Sequence, residues 1–268
     1  MDTPPPNING PMERQDWIAQ YILERGSVLV DELVELLDVS RMTIHRDLDD
    51  LENQGLLRKV RNGATAQPSN LFESDVRYRL KQQMEEKQAI AETILQHIEP
   101  GQAIFMDEST TLLPLVERLT EVAPVTVITN FLPIIKALVE VKNIHLISLG
   151  GEYLSRFDTF TGLLCENGLA RLYADLYITS TTAAVQGKVF HPEPRVVKVK
   201  QQMMEKAQHR YLLLDHTKFN KTALHQWAYT QDFDLVVVDS RTDEQFVREL
   251  RDKNTQVEIA PVKTEQKG

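Results

Sequence analysis

The chain has 268 residues, 42% of them apolar and 26% charged, and a formal net charge of −9. That length is comfortable for two globular domains and allows a sizeable core. The single cysteine, Cys165, excludes an internal disulfide and a multi-cysteine metal site, and no uncharged apolar run reaches the ~18 residues of a membrane span.

Residues 1–11 hold four of the twelve prolines and little that can pack, so they read as a loose tail. They lack a basic start and an apolar stretch, which argues against a signal peptide. A lone cysteine fits a reducing cytoplasm. The seven histidines are scattered without metal-ligand spacing and read as structural or surface residues; neither metal nor cofactor is expected.

Net acidity counts against a nucleic-acid partner, because contacts to phosphate supply most of the affinity. Its distribution matters more. From Asn53 to Ala66 the chain carries Arg58, Lys59 and Arg61 and no acid.

Trp17, Ile18, Tyr21 and Ile22 fall at helical spacing over 12–24, and Gly26 follows as a C-cap. Val28 to Val30 is long enough only for an edge strand. A second helix covers 31–37, with Asp31 and Glu32 against its N-terminal dipole. Asp38-Val39 is a turn, and Ser40 is the N-cap of a third helix. Helix, short strand, helix, tight turn, helix is the order of a helix-turn-helix.

In the third helix Ile44, Leu48 and Leu51 form the buried stripe. At about 100° per residue, Met42, Thr43 and Arg46 point away from it, with Arg41 and His45 on its flank. The outward face is basic near its start and acidic further on, at Asp49 and Asp50. A recognition helix enters the major groove by its first turns, which leaves those acids clear of the phosphates. Gly55 ends the helix. Leu56 to Val60, a two-residue Asn62-Gly63 turn and Ala64 onward form a hairpin whose arms carry the three bases: a wing. The candidate DNA-binding residues are Ser40, Arg41, Met42, Thr43, His45, Arg46, Arg58, Lys59 and Arg61.

The stretch VSRMTIHRDLDDLENQGLLRKVRNGA resembles the N-terminal winged helix of the DeoR family of bacterial transcription regulators, through its TI-x-RDL core, its LE-x-x-GLL helix exit and its basic wing. The resemblance covers nearly all of the chain after residue 12. His45 stands where the family usually has arginine, and Arg61-Asn62 replaces a His-Gly pair, so no operator sequence carries over.

Pro68-Ser69-Asn70 breaks the wing, and a charged linker runs over 68–86, in which Arg79, with Lys87 just beyond it, stands at spacings the family also shows. Apolar strand-like runs follow at 103–106, 125–129, 145–149, 176–179, 211–214 and 235–238, with amphipathic helices such as 112–119 and 133–139 between them. This alternation predicts an α/β domain over 87–260 with a largely parallel sheet, and a tail over 261–268. The fold class is therefore α/β, with a winged helix-turn-helix over 12–67.

Ligands of such sheets bind at the C-terminal ends of strands. Polar clusters stand there at Asp107 to Thr111, Thr129-Asn130, Gly150-Gly151 and Asp215 to Lys218. The first opens a helix, whose N–H groups and hydroxyls suit an anion, and Lys218 supplies a compensating charge. In order, the clusters match the family's effector domain. The resemblance implies a fold like that of ribose-phosphate isomerase and a phosphorylated sugar or related metabolite as effector. The implied effector residues are Asp107, Glu108, Ser109, Thr110, Thr111, Asn130, Gly150, Gly151, Lys200 and Lys218. The family loop usually reads Asp-Ser-Gly-Thr-Thr; here Glu108 and Ser109 replace its second and third residues. Lys200 matches the family lysine, whereas Arg195 and Val196 stand where a glutamate is usual, and Glu193 lies out of register.

The expectation is a transcription regulator, by family analogy a repressor released by its ligand. It should bind double-stranded DNA as a dimer or tetramer and have no membrane partner. A sugar-phosphate isomerase with an accessory winged helix is the alternative. It needs an acid or base beside the substrate carbon, and Ser180-Thr181-Thr182-Ala183-Ala184 supplies none.

Overall fold

The computed structural model describes residues 8, 10–53, 56–66, 76–253 and 255–263. Most of the N-terminal tail, the Gly55 helix exit and the Pro68-Ser69-Asn70 break lie outside them. The chain forms two compact units that divide between Arg79 and Leu80.

The first unit runs α1 (Pro11–Arg25), β1 (Ser27–Leu29), α2 (Val30–Leu37), α3 (Arg41–Asn53), β2 (Leu57–Val60) and β3 (Gly63–Ala66). Pro11, assigned above to the tail, is the first residue of α1, where its missing N–H costs nothing. Gly26 leaves that helix at φ 77 and Asp38 makes the turn before α3 at φ 49. The hydroxyl of Ser40 accepts the Thr43 N–H at 3.1 Å, the expected cap. Ile44, Leu48 and Leu51 are buried with Ile18, Ile22, Leu33 and Leu57 in one core. Each such side chain contributes about 1.5–3 kcal/mol.

The strands form an antiparallel sheet in the order β1-β3-β2. One detail differs from expectation. Val60 pairs with Gly63, so the turn residues are Arg61 and Asn62 rather than Asn62 and Gly63. Asn62 takes the left-handed conformation, φ 63, which asparagine tolerates. Gly63 is needed in β3 for another reason: a β-carbon there would collide with the Val28 carbonyl oxygen of β1.

α4 (Val76–Lys81) spans the division, and α5 (Met84–Leu95) belongs to the larger unit. Met84, Glu85 and Glu86, assigned to the linker, are the first turn of α5. Glu86 is buried, and the guanidinium of Arg241 donates to Glu85 and Glu86 at 2.5 Å each.

The larger unit continues with β4 (Ala103–Met106), α6 (Leu113–Arg118), β5 (Val125–Thr129), α7 (Leu132–Leu138), β6 (Ile144–Ser148), β7 (Glu152–Leu154), β8 (Thr159–Thr161) and α8 (Leu163–Leu169). Then come β9 (Ala174–Ser180), β10 (Ala183–Val185), β11 (Lys188–His191), α9 (Pro194–Glu205), β12 (Ala207–Leu214), β13 (His225–Tyr229), β14 (Leu235–Asp239), α10 (Glu244–Asp252) and β15 (Val257–Ala260). Seven strands form one sheet in the order β6-β5-β4-β9-β12-β14-β15. Every pair in it is parallel. The unbroken apolar runs Leu212 to Leu214 and Leu235 to Val238 are buried, as strands covered on both faces must be.

The chain enters at β4, winds outward through β5 and β6, and then returns to β9 on the other side of β4. The strand order thus reverses between β4 and β9. At such a switch point the connections diverge and leave a crevice beyond the strand ends.

Candidate nucleic-acid interface and sensor site

On the first unit, Arg41, Met42, His45 and Arg46 are exposed along α3 and Thr43 is half-buried. Arg41 is ion-paired with Asp31 of α2. The Ser40 and Thr43 hydroxyls lie 2.8 Å apart and are engaged in the cap. Arg58 and Arg61 are exposed on the wing, while Lys59 is half-buried. Lys59 is ion-paired with Asp49 of α3, and its N–H donates to Glu52 at 2.7 Å. Asp49 thus holds one of the three bases of the wing.

Asp47, between the exposed Arg46 and the buried Leu48, is only 2% exposed. It accepts from the Arg14 guanidinium at 2.6 and 3.2 Å and from Gln15 at 3.2 Å. This link clamps α1 to α3 and fixes how the reading helix is presented. Sequence alone does not reveal it, because an acid in a helix with three others, Asp49, Asp50 and Glu52, reads as part of a solvated face.

On the larger unit, the turn after β4 lies at the switch point. Asp107, Glu108, Ser109, Thr110 and Thr111 are all buried. The Lys200 ammonium, projecting from α9, reaches the same place and is 0% exposed. It lies 2.7 Å from Asp107 Oδ2, 3.1 Å from Glu108 Oε1 and 3.1 Å from the Ser180 carbonyl oxygen. The other Asp107 oxygen accepts from the Ser109 hydroxyl at 2.5 Å and its N–H at 3.2 Å. The Tyr177 and Thr179 hydroxyls of β9 also donate to Asp107. Burial first, and then the Asp107 charge, push the Tyr177 hydroxyl well above its ordinary value, so it stays protonated and donates. Thr111 reaches Ser180 at 3.4 Å.

Glu108 turns inward, onto Lys200 and toward His191, whose Nε2 lies 3.5 Å away. His191 is fully buried and stacks obliquely on Phe157; among the histidines it belongs to the site. Glu193 caps α9 and is bound by Arg195, whose Nε lies 2.7 Å away.

The remaining predicted residues are held differently. Asn130, at the end of β5, donates to the Phe160 carbonyl at 2.8 Å. Gly151, at φ 145, lets the chain after β6 pass against the Thr161 carbonyl. Both serve the β7-β8 hairpin. Lys218 lies 3.5 Å from the buried carboxylate of Asp215. Burial alone would raise Asp215; the Lys218 charge, the Thr217 hydroxyl and Lys87 outweigh it and hold the carboxyl below its ordinary value. The sites of Lys200 and Lys218 are thus already filled by carboxylates of the chain. Among the described residues no group of three or more His, Cys, Asp or Glu is gathered for a metal, and no helix is long and apolar enough to cross a membrane.

Residues 14–70 match the model of the DeoR-like helix-turn-helix domain and residues 82–240 that of the DeoR C-terminal sensor domain. The chain belongs to the DeoR family of transcriptional regulators. It is 31% identical to the lactose phosphotransferase system repressor of Staphylococcus aureus, over 87% of this chain and 93% of the other. The HTH-type transcriptional regulator IolR of Bacillus subtilis is 29% identical over 90% of this chain and 96% of its own. The L-fucose operon activator of Haemophilus influenzae is 32% identical over 80% and 86%. Ribose 5-phosphate isomerase A from Neisseria gonorrhoeae is similar over 50% of this chain and 52% of its own, at a TM-score of 0.34 and 12% identity; so faint a likeness transfers no activity. This DeoR-family chain is a DNA-binding regulator rather than an enzyme. Its sensor unit carries the buried group around Lys200, and its helix-turn-helix unit the exposed face of α3.

Proposed function

We propose that this regulator represses genes of carbohydrate metabolism and is released from its operator by a small phosphorylated sugar or a related metabolite. α3 enters the major groove with Met42, His45 and Arg46 toward base edges. Ser40, Arg41 and Thr43 shape and anchor its first turn, and Arg58, Lys59 and Arg61 contact the backbone. The observation that carries this is the exposed basic first turn of α3, fixed from behind by a fully buried stripe. The names of the relatives, which concern lactose and fucose systems, support the class of genes.

The effector occupies the switch-point crevice beside Asp107, Glu108, Ser109, Thr110 and Thr111. Lys200 positions that turn from beneath. With Lys200 and Lys218 both held by internal carboxylates, the turn offers the effector hydroxyls and backbone groups rather than a free cation. Asn130, Gly150 and Gly151 shape the neighbouring wall. One winged helix spans only a few base pairs, so the regulator acts in the cytoplasm as a dimer or tetramer on repeated half-sites. Effector and operator are linked: a ligand that prefers the arrangement with poor operator fit lowers operator affinity by the same factor.

Sequencing the DNA that co-purifies with the full chain tests this reading. Enrichment of one repeated site beside carbohydrate genes is expected. Uniform recovery of unrelated DNA would overturn it.

A further inference from the structure

The face that α3 presents holds one side chain that suits neither phosphate nor water. Met42 is 74% exposed, although it is the second residue of a helix whose other apolar residues are buried. Its neighbours are committed. Ser40 and Thr43 bond to each other, and Arg41 is paired with Asp31. Arg46, four residues on and also exposed, shares the face of Met42. No acid occurs from Ser40 to Arg46. Asp31 of α2 offsets Arg41, and the exposed Arg46 keeps this face of α3 cationic, which suits a polyanion rather than an apolar protein patch.

Among the groups on the floor of the major groove, donors and acceptors of the bases dominate; the thymine C5 methyl is the apolar one. A methionine thioether is a poor hydrogen-bonding group. Its exposed area is recovered only against another apolar group, and a flexible unbranched chain reaches one without strain. Resting on the reading of α3 as the recognition helix, we propose that Met42 is a specificity-determining residue that packs on a thymine methyl in each half-site. Arg46 takes the neighbouring position. Four residues of helix rise about 6 Å, one to two steps of about 3.4 Å along a strand. Arginine favours guanine O6 and N7. The half-site therefore carries a thymine with a guanine one or two base pairs away.

The test uses the full chain and a duplex selected by it from a random-sequence library, with each thymine replaced singly by deoxyuridine, which removes only the methyl. Binding is followed by fluorescence anisotropy for the wild type, Met42→Ala, Met42→Leu and Arg46→Ala. For the wild type, one replacement per half-site should cost about fourfold in affinity, the worth of one buried methyl group. Met42→Ala should bind thymine and deoxyuridine duplexes equally, and Met42→Leu should keep part of the discrimination. If no replacement affects the wild type, or if Met42→Ala still prefers the thymine duplex as strongly as the wild type does, the inference is overturned while a weakened Arg46→Ala leaves α3 as the reading helix. If the library yields no preferred sequence, or if Arg46→Ala and Met42→Ala both bind as the wild type does, the reading of α3 falls and the inference with it.

Discussion

The ammonium of Lys200 lies 2.7 Å from the carboxylate of Asp107, and both side chains are completely buried. The two residues are 93 positions apart, on α9 and just beyond β4. Together they lock the crossover helix to the switch point, and Glu108, Ser109, Tyr177 and Thr179 complete the bonding around them.

Lys200→Met removes the cation and leaves two buried carboxylates without it. Breaking a buried pair from one side costs about 3–5 kcal/mol. Urea unfolding in a Trp17→Phe background should show this, since Trp227 then reports the larger unit alone. The Trp227 transition is expected to move to markedly lower urea. A loss below about 1 kcal/mol would place the pair among weak surface bridges.

Asp47→Asn should loosen the clamp between α1 and α3. The carboxylate accepts from Arg14 at 2.6 Å, and losing a charge-assisted bond of this kind costs about 1–3 kcal/mol. Hydrogen exchange should quicken in α1 and α3 together while the sheet of the larger unit stays protected. Unchanged exchange in both helices would remove Asp47 from this positioning role.

Much of the fold was legible because local pattern determined it. The apolar runs of β4 and β5 are bounded by turn residues, and their limits coincide with the observed strands. The cap at Ser40 and the stripe Ile44, Leu48, Leu51 were legible for the same reason. The short antiparallel strands β7, β8, β10, β11 and β13 were not: they have three to five residues each and no sustained alternation. The turn residues Asp107 to Thr111 were visible as a strand exit. Where their charges point was not, since it depends on partners distant in the chain. His191 beside Glu108 and Arg14 on Asp47 are long-range choices that neither spacing nor composition encodes. Asp215 and Lys218 stand at i,i+3, and only the burial of the carboxylate was hidden.

The cations of the wing should not contribute equally. Arg58→Ala and Arg61→Ala should each lower the slope of log affinity against log salt by about one unit. Lys59→Ala should lower it by less, because its charge is shared with Asp49. Asp49→Asn should in turn strengthen binding at low salt. Equal slopes for the three wing variants would contradict the assigned Lys59–Asp49 pairing.

Acid stability follows from Asp215. Its folded value lies below its ordinary one, so its contribution is present above about pH 3.9 and is lost as the pH falls through the folded value. Lys218→Met removes the largest of the influences that lower it, so that only Thr217 and Lys87 still oppose burial. The acid-unfolding midpoint of the larger unit should therefore move to higher pH. An unchanged midpoint, followed through Trp227, would show that Lys218 does not hold this carboxylate.

The most direct test of the whole account is an anisotropy titration of the co-purified operator with the full chain, with and without a panel of sugar phosphates, for the wild type, Arg46→Ala and Thr111→Val. At least one sugar phosphate should weaken wild-type operator binding. Arg46→Ala should weaken binding by about 1–3 kcal/mol without any ligand. Thr111→Val should bind the operator as the wild type does and lose the response to ligand. Operator binding untouched by Arg46→Ala, together with a ligand response untouched by Thr111→Val, would contradict both the reading helix and the sensor crevice.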